Sequence, residues 1–184
     1  MKDKADDQCR RVFVLDTSAF LAGFDPFSLS EEQVTVPKVE EEIRRNSIIN
    51  TRFRAAIENG KLKVKAPPPE FLNKVNVLAT NLGDSHLLSE ADSQLLALAL
   101  EFKAEGYAPR IVSDDYSIQN VATLMGIEFS ALATFGIKRL LEWTRYCPAC
   151  HKEYPSNVSA NECLICGTKL KRKPRRTVKD VKAR

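Results

Sequence analysis

Hydrophobic residues along the chain fall into short blocks, and the spacing inside each block assigns an element. Residues 12–15 (VFVL) are an apolar run that stops abruptly at Asp16. A strand without polar alternation is one covered on both faces, as in a parallel sheet. Residues 34–36 are a second short β-prone run, halted by Pro37, which suits the first position of a helix. Helical spacing then continues to a stop signal at Asn59 and Gly60. Residues 62–64 suit a short strand, three prolines end it, a helix follows around 71–80, and 81–88 reads as a loop. Ser89 caps the strongest helix, EADSQLLALALEFKAEG, which Gly106 closes. A strand over 110–113, a helix over 117–125 and a last strand over 126–129 complete the series. Strands alternating with helices predict an α/β sandwich with a mainly parallel sheet. There is no internal repeat.

The pattern changes near Trp143. Residues 145–168 hold turn residues and cysteines without a helical period, and 137–144 (IKRLLEWT) reads as a helix or linker into that module. The expected organisation is a tail over 1–10, an α/β domain over 11–136, a linker over 137–144, a cysteine module over 145–168 and a basic tail over 169–184.

With 184 residues, 43% of them apolar and 28% charged, the chain can bury a core. No apolar run approaches the ~18 residues of a membrane helix, and MKDKADDQCRR is not an export signal. A membrane or secreted protein is not expected; a reducing, cytoplasmic compartment is. The net charge of +4 hides an asymmetry: residues 169–184 carry nine basic residues and one acid, a net +8, and leave −4 on residues 1–168. An acidic body with a basic tail suggests a polyanionic partner, against the alternative of a solvated terminus.

The acids carry the candidate chemistry. Asp16 ends the first strand, and in an open parallel sheet ligands collect beyond the carboxyl ends of strands. Stepped at about 100° per residue, the helix after Pro37 puts Val39, Ile43, Phe53, Ala56 and Ile57 on one arc. Glu42 falls inside it, and Glu40 and Glu41 fall outside. In the helix after Ser89, Asp92 sits near the middle of an arc of Leu95, Leu96, Ala99 and Phe102, with Ser93, Gln94 and Glu101 outside. Asp114 and Asp115 follow the strand ending at Ser113; one suits a helix N-cap and the other is free for chemistry. Each acid has a structural reading: a turn cap for Asp16, an N-terminal charge for Glu42, a capping box with Ser89 for Asp92. Together they converge on one crevice, where their repulsion requires a cation. Oxygen-only ligands select Mg²⁺ or Mn²⁺, which can activate water against a phosphodiester. His86, in a loop, and His151, beside a cysteine, form no competing constellation.

Cys147, Cys150, Cys163 and Cys166 make two CxxC pairs separated by twelve residues. That spacing signals a closed tetrahedral Cys₄ zinc site with a structural role. A module of ~25 residues has too little core to fold without it. Gly167 follows the second pair, whereas His151 stands in the equivalent place after the first and is a possible substitute ligand. Cys9 has no assigned role. Arg145, Lys152, Lys169, Lys171, Arg172 and Lys173 give the module a basic surface for RNA. Tyr146 and Tyr154 either stack on bases or pack on the zinc knuckles.

VLDTSAFL around Asp16, VPKVEEEI ending at Glu42 and Ile43, GDSHLLSEAD reaching Asp92, and IVSDDYSIQNVA around Asp114 and Asp115 resemble the PIN-domain nucleases. The resemblance covers residues 11–135. With the zinc ribbon added, the chain is similar to the Nin-one-binding endonucleases, which trim the 3′ end of small-subunit ribosomal RNA precursors, and its compact length to their archaeal members. The resemblance implies a PIN-like α/β/α sandwich with a C-terminal zinc ribbon, and hydrolysis of RNA with Mn²⁺ or Mg²⁺ to leave a 5′-phosphate. It implies acids at Asp16, Glu42, Asp92 and Asp115, with Asp114 a neighbouring alternative, and Thr17 and Ser18 either holding the crevice or capping the turn. The implied partner is a pre-ribosomal particle. The alternatives are a non-catalytic RNA-binding assembly factor and a toxin-type PIN ribonuclease acting on transfer or messenger RNA.

Overall fold

The computed structural model describes residues 10–82, 88–133, 142–155 and 160–175. Cys9, His86 with the rest of 83–87, residues 137–141 of the expected linker, and the tail from Arg176 onward lie outside the described residues.

The chain opens with β1 (Arg11–Leu15), α1 (Thr17–Leu21), a 3₁₀ turn (Pro26–Ser28) and β2 (Glu32–Thr35). There follow α2 (Pro37–Ile43), α3 (Ser47–Glu58), β3 (Lys63–Val64), α4 (Pro69–Leu82) and α5 (Glu90–Ala104). β4 (Ala108–Val112), α6 (Tyr116–Leu124) and β5 (Glu128–Ser130) close the series. The five strands form one wholly parallel sheet in the order β3-β2-β1-β4-β5. Val12, Val14 and Leu15 are fully buried, as helices on both faces require. From β1 the chain steps outward to β2 and β3, then crosses back to place β4 on the other side of β1. The strand order therefore reverses between β1 and β4, where Leu15 stands beside Val112. The Asp16 N–H donates to Val112 O at 3.1 Å and carries the ladder one residue beyond the strand.

Three expectations are corrected. The helix predicted from Pro37 to Asn59 is two helices, because Asn46 caps a new one by accepting from the Ile49 N–H at 3.4 Å. The arc joining Val39 and Ile43 to Phe53 and Ala56 thus spans a corner, and Glu42 is an exposed residue in the last turn of α2. α4 runs to Leu82, so Asn81 and Leu82 are helical. Glu101 is 8% exposed on α5, not outside its buried arc. α5 packs against α2, α4, α6, β1 and β4, which leaves no continuous polar face, and Lys65 Nζ pairs with Glu101 Oε1 at 3.0 Å.

A second, antiparallel sheet has the order β7-β6-β8, from β6 (Glu142–Tyr146), β7 (Glu153–Tyr154) and β8 (Lys171–Arg175). Residues 142–144, expected in a helix or linker, are strand. β8 is strand as well, inside the segment expected to be a basic tail. Its Pro174 is tolerated because β8 is an edge. Among the described residues no helix is long and apolar enough to cross a membrane.

Candidate active site and metal centre

The ends of β1 and β4 carry three of the candidate acids, Asp16, Asp114 and Asp115. Asp16, 6% exposed, heads α1: its Oδ1 accepts from the Thr17 N–H at 2.7 Å and its Oδ2 from the Ser18 hydroxyl at 2.6 Å. The Ser113 hydroxyl, at the end of β4, donates to the same Oδ2 at 2.8 Å and accepts from the Asp115 N–H at 3.1 Å. Ser18 Oγ accepts from the Asp114 N–H at 3.0 Å. Two serines thus lock the strand ends together. Thr17 reaches the other way, its hydroxyl donating to Glu42 Oε2 at 2.5 Å.

Asp92 arrives from the first turn of α5. The capping box is complete: the Ser89 N–H donates to Asp92 Oδ2 at 2.7 Å, and the Asp92 N–H to Ser89 Oγ at 3.1 Å. Burial raises the Asp92 pKa above the usual aspartate value; the Ser89 bonds oppose this, and the charges of Asp16 and Asp115 add to it. Lys38 Nζ lies 3.1 Å from both Glu41 and Glu90, so the helix carrying Glu42 is tied to the first turn of the one carrying Asp92.

The two aspartates after β4 divide. Asp115 is the N-cap of α6, its Oδ1 accepting from the Ser117 N–H at 2.6 Å. Asp114 turns to the segment after β5, accepting from the Leu132 N–H at 3.0 Å and from the Ala133 N–H at 3.0 and 3.1 Å. Hydrogen bonds link Asp16 to Glu42 through Thr17 and, through Ser113, to the Asp115 backbone; Asp92 feels the charge of Asp16 and Asp115, and Asp114 has a tethering role. In Glu42, Asp92 and Asp115 the structural bond uses one carboxylate oxygen. Among the described residues no lysine or arginine forms an ion pair with any of the four. This is a donor set suited to a hard divalent cation, which would relieve the repulsion that Asp92 registers. Sequence reasoning did not assign Ser113; its only signal is a hydroxyl at a strand end before two acids.

The second centre is sulfur. The ligand atoms of Cys147, Cys150, Cys163 and Cys166 all lie within 4.8 Å of one another, and all four thiols are free. Among the described residues this set alone is gathered that closely. Cys147 and Cys166 sulfurs are 3.4 Å apart, and those of Cys150 and Cys163 3.5 Å. A tetrahedral site with ~2.3 Å bonds needs about 3.8 Å between sulfurs, so a small adjustment admits zinc. The two knuckles share one turn: His151 N–H donates to Cys147 O at 2.9 Å as Gly167 N–H does to Cys163 O at 2.8 Å. His151 has φ 60° and Gly167 φ 71°, so His151 fills a backbone position and is outside the sulfur cluster. Tyr154 is buried; its hydroxyl contacts Cys163 Sγ at 3.0 Å and accepts from the Leu164 N–H at 3.1 Å. Chiefly through that Tyr154 bond, with backbone N–H groups helping and burial opposing, the Cys163 pKa is lowered to about 6.

The expected RNA-binding cations separate into three kinds. Lys173 Nζ pairs with Glu153 at 2.6 Å and lies 5.3 Å over the Tyr146 ring, so both partners are engaged. Arg145, Lys169 and Arg172 line a notch of about 150 Å³ with Asn161 and Leu170; Arg145 Nη1 is oriented by Ala160 O at 2.7 Å. Lys152 and Lys171 are exposed.

Comparison with known proteins agrees with this architecture. A sequence profile described as the PIN domain of ribonuclease matches residues 13–102. Endoribonuclease Nob1 of Pyrococcus abyssi is 39% identical over 89% of this chain and 94% of its own length. Endoribonuclease Nob1 of Methanothermobacter thermautotrophicus is 36% identical over 89% of this chain and 93% of its own. Ribonuclease VapC1 of Thermoplasma acidophilum is 33% identical over 88% of this chain and 77% of its own.

Proposed function

Because the chain belongs to the Nob1 endoribonuclease family, and so is a metal-dependent RNA endonuclease on a PIN domain, we propose that it cuts small-subunit ribosomal RNA precursor to generate the mature 3′ end. The observation that carries this reading is Asp16 at the β1–β4 reversal, with Glu42 bonded to the neighbouring Thr17 and Asp92 within reach of the charge of Asp16 and Asp115.

In this reading Asp16, Glu42, Asp92 and Asp115 hold Mn²⁺ or Mg²⁺. Such an ion, when bound, supplies Lewis-acid charge and an activated water for in-line attack on phosphorus. The chain's own residues do the rest. Ser18 and Ser113 keep Asp16 from rotating, Thr17 holds Glu42, and the Ser89 box fixes the carboxylate of Asp92. The Cys₄ site takes Zn²⁺ and folds the ribbon. Arg145, Lys169 and Arg172 then grip RNA phosphates beside Lys152 and Lys171, which makes affinity fall with salt. The body over 11–136 cuts and the ribbon holds, within a pre-ribosomal particle in a reducing cytoplasm.

The test is cleavage of a precursor fragment containing the mature 3′ end, with Mn²⁺ or Mg²⁺ and a control lacking both. The expected result is a single cut at that end, leaving a 5′-phosphate on the released trailer. Equal cutting of unrelated RNAs would overturn the assignment. It would favour the toxin-type reading, which the similarity to the Thermoplasma VapC1 protein keeps in view.

A further inference from the structure

The body of the protein is acidic overall, yet residues 44–57 contain four arginines and no acid. Arg44 is neutralised by Glu40, 2.7 Å away. Arg45 and Arg52 are exposed, and among the described residues neither forms an ion pair. The Arg45 N–H donates to Glu42 O at 3.3 Å, so this residue stands one turn past a crevice acid. Arg52 follows Ile48 by four positions and shares its face of α3.

Between that face and the end of α1 lies an apolar groove enclosing only about 40 Å³, so that a larger group would rest on its rim. Phe24, Pro26, Ile48, Ile49 and Arg52 line it, above Phe20 and Phe53, which meet edge to face at 5.2 Å. Ile48 is 73% exposed, the largest exposure among the groove's apolar residues. The groove and the crevice share α1, whose first turn carries the Asp16 network and whose far end leads to Phe24. Five helical residues rise about 7.5 Å, or two to three stacked nucleotides at ~3.4 Å each.

We propose that this groove is a subsite for the RNA strand: one unpaired base lies on Ile48, Ile49 and Phe24, and Arg45 and Arg52 hold the flanking phosphates. The proposal rests on the RNA-cutting reading of the neighbouring crevice and extends it to a base-binding position. An apolar shelf with Arg52 in its lining, and Arg45 one turn from Glu42, suits a base with its phosphates, since apolar surface and backbone charge are the two needs of single-stranded RNA. Asp25, the acid nearest in sequence to the groove, keeps its carboxylate on the Phe27 N–H at 3.1 Å.

The test measures binding of an unstructured oligoribonucleotide spanning the cut. It uses the full chain with its zinc, without added Mn²⁺ or Mg²⁺. The double variant Arg45→Gln/Arg52→Gln is expected to bind about tenfold more weakly, with a log K against log salt slope shallower by roughly 1.4, at ~0.7 for each lost contact. Removing bases one at a time is expected to reveal one position, two or three nucleotides from the cut, where the wild type loses about tenfold. Ile48→Ser is expected to erase that position. All three side chains are exposed, so folding is not at stake. An unaltered salt slope, or a flat base-removal profile, overturns the proposal; a groove serving a protein partner would give both. Because the salt slope is read from RNA affinity and needs no cut, an enzyme that cuts some other RNA would fail the precursor test and still show the slope change.

Discussion

Thr17 holds Glu42 in place: its hydroxyl donates to Glu42 Oε2 at 2.5 Å, while its own N–H is fixed on Asp16 Oδ1 at 2.7 Å. One residue thereby sets the spacing of two acids from different helices. Thr17→Val removes the hydroxyl and keeps the shape. The expected outcome is cleavage weakened about tenfold, recoverable at higher Mn²⁺, with little change in thermal midpoint, since one exposed hydrogen bond contributes only about 0.5–1.5 kcal/mol. A metal titration of the initial rate checks it.

Asp92→Asn should abolish cleavage, by roughly a thousandfold or more, and leave RNA affinity intact. An amide oxygen can still accept from the Ser89 N–H, so the cap should survive. The Asp92 pKa is raised in the fold, so its contribution to stability is full below the ordinary aspartate value of 3.8 and is lost as pH rises through the elevated one. Without added Mn²⁺ or Mg²⁺, the asparagine variant is therefore expected to unfold at a higher temperature than wild type near pH 7, and the difference should shrink in acid. Melting curves over pH 3–7 test this.

Asp114 and Asp115 should separate in their effects. Asp115→Asn is expected to remove cleavage at nearly unchanged stability. Asp114→Ala loses the bonds to Leu132 and Ala133 and should cost about 1–2 kcal/mol, with residual activity. Denaturant unfolding beside single-turnover cleavage distinguishes the two.

Zinc removal, or Cys163→Ser, should unfold the ribbon and spare the first sheet. Hydrogen exchange is expected to rise across 142–175 and stay slow across 11–130. Deleting everything from Lys169 onward should do the same, because it removes β8, the partner of β6.

His151→Gly should retain zinc and raise the ribbon's thermal midpoint. The histidine holds φ 60°, a left-handed conformation costing about 1–2 kcal/mol for a residue with a Cβ, partly offset by the flexibility glycine adds to the unfolded chain. Loss of zinc in this variant would make the imidazole a ligand.

The parallel sheet was legible because VFVL lacks polar alternation and short β-prone runs alternate with helical spacing, and Ser89 was legible because its cap is local. What could not be read depends on distant partners. Glu101 is buried because Lys65 meets it, and nothing near Glu101 in sequence announces that. The corner between α2 and α3 has neither glycine nor proline, only Asn46. β8 consists largely of lysine and arginine, and only pairing with β6 makes it a strand. The candidate acids stand out in the sequence only by position, at strand ends and helix turns. The Ser113 bond that orients Asp16 spans 97 residues and is invisible to periodicity.

That long span has a consequence during synthesis. A chain emerging from the ribosome displays Asp16, Glu42 and Asp92 well before β4 exists to sit beside β1. Until Ser113 appears, Asp16 lacks the long-range bond that orients it.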